Sequence, residues 1–90
     1  MRIIYLRNKP ELSFLSPTYW KVIEKDEETA ITMSVKKDSI EVEESEDYFD
    51  RVSFIKNKLC SENESVEIDQ KEFDEFYKNT VENINAISSY

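Results

Sequence analysis

Apolar side chains recur at every second residue through Ile31, Met33 and Val35, and again at Ile40 and Val42. From Tyr48 onward the spacing changes: Tyr48, Val52, Ile55 and Leu59 follow one another at three- and four-residue intervals. A period of two places alternate residues on one face of a strand, whereas the longer period lines one face of a helix. The switch between them constrains the fold more than any other feature. It predicts a sheet built mainly from the first half of the chain and helices built from the second.

Residues 3–6 (Ile-Ile-Tyr-Leu) predict a first strand, apolar on both faces and therefore central in its sheet. A loop holding Pro10 and Pro17 leads to a second strand over residues 19–25. Asp26-Glu27-Glu28 is a polar turn. The third strand, over residues 30–35, buries Ile31, Met33 and Val35 on one face and turns Ala30, Thr32 and Ser34 away. Lys36-Lys37-Asp38-Ser39 turns the chain again, and a fourth strand over residues 40–43 sets Ile40 and Val42 against Glu41 and Glu43. The 90 residues contain no glycine, so Asn, Asp, Pro and Ser must form these turns.

The first helix carries the Tyr48–Leu59 stripe, with Phe54 off it. Ser45 or Asp47 is placed to cap this helix, and Glu46, Asp47 and Asp50 fall in or near its first turn, where negative charge suits the helix dipole. A break over residues 61–65 precedes a short strand, Val66-Glu67-Ile68. Asp69 then opens a second helix. Glu72, three residues on, gives a capping-box spacing, and Ile68 and Phe73 take the hydrophobic-staple positions. The stripe Phe73, Phe76, Tyr77, Thr80, Val81, Ile84 and Ile87 is expected to lie on the sheet. The expected architecture is one α+β domain over residues 1–90. Its small antiparallel sheet of three to five strands, in the order ββββαβα, packs against two helices.

Composition narrows the chemistry. There is no histidine, the usual general base near neutral pH, and one cysteine, Cys60. A Cys/His zinc site and an internal disulfide are therefore excluded. Without glycine, neither the phosphate-binding loop nor the dinucleotide fingerprint can form. "DYFDRVSFIKNK" lacks the glycine and ligand spacing of a calcium loop. No stretch approaches the ~18 apolar residues of a membrane span. These features point to a cytoplasmic, non-enzymatic protein with no cofactor and no metal.

Charge is unevenly placed. Residues 1–25 carry five bases and two acids, a net of +3, whereas residues 26–90 carry seven bases and eighteen acids, a net of -11. Nucleic acid and anionic membranes are poor partners for such a surface, and a basic protein is a good one. The acids concentrate in "SIEVEESEDYFD", residues 39–50, where no base occurs from Asp38 to Asp50. Two readings of this run compete. Its acids can solvate an outer strand face, guard a sheet edge and cap a helix. Alternatively, Glu41, Glu43, Glu44, Glu46, Asp47 and Asp50 form a contact set for a positively charged partner. Glu41 and Glu43 would then point the same way, about 6.6 Å apart at strand spacing. That interval is of the order of successive phosphates along a nucleic-acid strand. A second candidate surface is "ELSFLSPTYW", residues 11–20, in which Phe14, Leu15, Tyr19 and Trp20 either cover one end of the core or form an exposed aromatic patch.

The acidic runs "SIEVEESEDYFD" and "SENESVEIDQKEFDEFYKN" resemble those of small phage-encoded proteins directed against host defences, nearest to the anti-CRISPR proteins that imitate DNA. The ending "VEIDQKEFDEFYKNTVENI" is similar to the strand-then-helix ending of many phage and mobile-element proteins. The resemblance implies inhibition by binding the basic groove of a nuclease. The alternative expectation is a structural or assembly subunit that uses the aromatic loop over residues 11–20.

Overall fold

A computed structural model describes residues 2–8, 17–26, 28–46, 51–62 and 65–88. Its elements are β1 (Ile3–Arg7), β2 (Tyr19–Glu24), β3 (Thr29–Val35), β4 (Ile40–Glu46), α1 (Arg51–Glu62), β5 (Val66–Ile68) and α2 (Gln70–Ser88). The strands form one sheet in the order β4-β3-β2-β1-β5, antiparallel throughout. The fold is α+β, an antiparallel sheet with two helices.

The register explains where each helix sits. Ile4 pairs with Val22, and Ala30 lies on the same face of the sheet. These three meet Val52, Ile55 and Leu59 of α1 in one apolar cluster. Tyr5, Tyr19, Met33, Val35 and Ile40 point the other way and meet Phe73 and Phe76 of α2, together with Ile68. The helices therefore cover opposite faces, and the sheet is the middle of three layers. This corrects the expectation of one buried face on β3: Ala30 is fully buried on the α1 side, while Ile31 and Met33 are only half-buried on the α2 side.

The second helix begins as its sequence predicts. Asp69 Oδ1 accepts the Glu72 backbone N–H at 2.9 Å, satisfying one of the donors a helix start leaves free. Further on, α2 is tied to the β3–β4 turn. The Thr80 hydroxyl donates to the Lys36 carbonyl at 2.6 Å, and Asn83 Nδ2 donates to the Lys37 carbonyl at 2.9 Å. α2 thus crosses the sheet from β5 to the end of the β3–β4 hairpin.

The first helix, α1, is described from Arg51, and Ser45, one of its two expected caps, belongs to β4 instead. Ser45 and Glu46 are strand residues, paired with Ala30 and Thr29, so neither belongs to the first turn of α1. Asp47 and Asp50 lie outside the described residues, as do Tyr48, Phe14 and Leu15.

Between α1 and β5, Ser65 is only 6% exposed and its hydroxyl has no hydrogen-bond partner among the described residues. Burying an unpaired hydroxyl costs free energy that an alanine does not incur. Ser65→Ala is therefore expected to leave stability unchanged or raise it by up to about 1 kcal/mol. Urea unfolding checks this, and a loss of stability would show that the hydroxyl has a stabilising role.

Candidate functional site

The acidic run is carried by the β3–β4 hairpin. Lys36 N–H donates to the Ser39 carbonyl at 2.9 Å and closes the turn, whose carbonyls are also held by α2. β4 then runs for seven residues at the open end of the sheet order. It continues three residues past Glu43, because Glu44, Ser45 and Glu46 pair with Ile31, Ala30 and Thr29.

The pleat divides the acids. Glu41 and Glu43, paired with Ser34 and Thr32, lie on the α1 face of the sheet, well exposed. Neither has a cationic partner among the described residues. Glu44 lies on the α2 face and pairs with Lys25 Nζ at 2.9 Å. The hydrogen bond and charge of Glu44 hold the Lys25 pKa above the ordinary lysine value. The structure therefore brings Glu41 and Glu43 together and sets Glu44 on the other side of the edge, already engaged. The backbone of Glu46 ends β4, and Asp47 and Asp50 fall outside the described residues.

Several other acids have structural work. Glu67 meets Lys56 of α1 at 2.7 Å, Glu24 meets Arg2 at 3.0 Å, and Asp69 caps α2. Glu72, which its helix position assigns to the solvated side, instead joins α2 to the sheet. It accepts from Arg7 Nε at 2.8 Å and from the Tyr19 hydroxyl at 3.4 Å. No local spacing in the sequence signals this contact, because its partners lie on two distant strands.

The aromatic candidates separate as well. Trp20 is a β2 residue only 8% exposed, beside its cross-strand neighbour Leu6 on the α1 face. Tyr19 stacks on Phe76, with centroids 4.1 Å apart and planes at 18°. Both take part in the core rather than in an exposed patch, and Phe14 and Leu15 lie outside the described residues. Phe54 lies on α1 and is half exposed.

Burial raises the pKa of Tyr5, with Asp74 adding to the effect. Burial also raises that of Tyr19, with Glu72 adding and Arg7 opposing. The folded chain thus favours neutral phenols more than the unfolded chain does, where they ionise near the ordinary 10.0. Their stabilisation is complete below that pH and is lost as pH rises through the higher folded values. The melting temperature is expected to hold from about pH 7 to about pH 9 and to fall above about pH 10. In Tyr5→Phe/Tyr19→Phe the alkaline fall should be shallower. An identical fall in the variant would remove these two phenols as its cause.

Among the described residues no three side chains of ligating type converge on a metal position, and no helix is long and apolar enough to cross a membrane. A shallow depression on α2, lined by Gln70, Lys71, Asp74, Glu75 and Lys78, lies open to solvent and mixes both signs of charge. No protein-family model matches the chain, and no curated protein or solved structure matches it. The fold and the charge pattern of its surface are therefore the basis for a functional reading.

Proposed function

We infer that this chain is a non-enzymatic protein-binding inhibitor of the anti-CRISPR kind. It acts in the cytoplasm by presenting an acidic, nucleic-acid-like surface to the basic groove of a nuclease. One observation carries the reading: Glu41 and Glu43 stand exposed on one face of an edge strand with no cationic partner among the described residues, while Glu24, Glu44, Glu67 and Glu72 are each paired. Structural pairing thus accounts for these four acids and does not account for Glu41 and Glu43 among the described residues. Unpaired carboxylates at strand spacing attract a basic groove and steer its approach.

The testing experiment is capture from nuclease-treated bacterial lysate at low salt and at about 0.5 M salt, where exposed charge contacts are strongly screened. The natural chain and Glu41→Lys/Glu43→Lys serve as baits. A nucleic-acid enzyme held by the natural chain at low salt, released at high salt and lost from the variant supports the reading. A partner that resists salt and is retained by the variant refutes it.

The second reading, an assembly subunit, draws on Val42, which is 63% exposed on the α2 face of the same edge. Exposed apolar surface beside an open edge suits association.

A further inference from the structure

We propose that the β4 edge captures its partner by strand addition, and that the partner segment is an extended one alternating basic and apolar residues. The proposal rests on the acidic-surface reading above and names the shape and chemistry of what that surface takes.

The register sets the phase of the edge. The closed Lys36–Ser39 pair fixes alternate pairs of the hairpin as the hydrogen-bonded ones. Stepping by two, Glu41, Glu43 and Ser45 direct their backbone groups inward to Ser34, Thr32 and Ala30 of β3. Ile40, Val42 and Glu44 then direct their N–H and C=O groups outward. This edge, to which no other described strand pairs, therefore offers a row of donors and acceptors at the interval of an antiparallel or parallel strand.

The side chains select the occupant. On the α1 face, a strand laid on this edge would stand beside Glu41 and Glu43, which have no cationic partner among the described residues. On the α2 face it would stand beside Ile40 and the exposed Val42. Successive residues of the added strand face opposite ways, so basic residues must alternate with apolar ones. A second copy fits poorly. Antiparallel pairing of β4 with itself sets Glu43 opposite Glu43 in one register and Glu41 opposite Glu43 in the next, and like charges directly opposed are destabilising.

The probe is a nine-residue peptide alternating lysine and valine, and the control is its isomer with the lysines in one block. Both are titrated into the isotope-labelled full chain, and amide hydrogen exchange is followed residue by residue. The alternating peptide is expected to slow exchange at Val42 and Glu44 by at least about tenfold, whereas the block isomer leaves both unchanged. Val42→Pro removes an outward donor without breaking a bond to β3. It is expected to weaken the alternating peptide by about tenfold or more while circular dichroism keeps the native spectrum. Should that variant fail to fold, the alternating peptide methylated on its backbone nitrogens makes the same cut from the other side.

Equal binding of the two isomers, with exchange at Val42 and Glu44 unaltered, overturns strand addition. It leaves the acidic surface standing if Glu41→Lys/Glu43→Lys abolishes that binding. Failure of the alternating peptide to bind also overturns strand addition, and the acidic-surface reading is then judged by lysate capture alone. Protection of the same two amides in the free chain, with twice the chain mass by light scattering, overturns the proposal in favour of a second copy.

Discussion

Phe73→Ala is expected to cost about 3–5 kcal/mol, the range for deleting a fully buried phenylalanine. A 90-residue chain has roughly 5–13 kcal/mol of stability in all, so the variant should sit near the threshold of folding. Phe73 is 2% exposed. Its ring lies 5.2 Å from that of Tyr5 and 6.2 Å from that of Tyr77, and it shares its cluster with Val35. α2 is long and mostly solvated, with Phe73 and Thr80 its only fully buried residues among those described. The loss of one of these two anchors leaves a cavity the helix cannot close without breaking the Arg7–Glu72 and Thr80–Lys36 contacts. Urea unfolding, followed by Trp20 fluorescence, should show a midpoint lowered by about 1–5 M at an unchanged slope. Ile87→Ala on the same helix, where the side chain is 56% exposed, should shift stability by no more than about 0.5 kcal/mol. A Phe73 variant as mild as the Ile87 variant would mean that the helix is held by its polar ties instead.

The elements were readable in the sequence where one physical signal dominated. Strand periodicity gives β3 and the start of β4, and cap and staple residues together give α2 from Asp69 onward. The remainder of β4 was not readable. Glu44, Ser45 and Glu46 have no apolar alternation, and backbone pairing to Thr29, Ala30 and Ile31 extends the strand instead. The placement of the helices on opposite faces was hidden for a related reason. Ala30 is too small to stand out as a core residue, yet its small size lets α1 approach, and it is fully buried. The acidic run was legible as composition, but its division was not. Only the pleat and the position of Lys25 separate Glu44 from Glu41 and Glu43.

That division determines what charge reversal should do. Glu41→Lys/Glu43→Lys is expected to weaken a basic protein partner by about 100-fold or more, because two attractions become two repulsions at the contact. The melting temperature should stay close to that of the natural chain, since both side chains are exposed and neither takes part in an ion pair among the described residues. The change raises net charge from -8 to -4, which is still well away from neutrality. Glu44→Lys is the informative control. It moves the net charge in the same direction but acts on the opposite face, where it sets a cation against Lys25. If binding depends on total charge, Glu44→Lys should cause about half the loss, in logarithmic terms, of the double reversal. If binding depends on the face that carries Glu41 and Glu43, Glu44→Lys should have little effect on affinity. Affinities measured by calorimetry at two salt concentrations separate these outcomes. A double reversal that leaves affinity unchanged would remove β4 from the interface and return the acidic run to its role in solvating a strand edge.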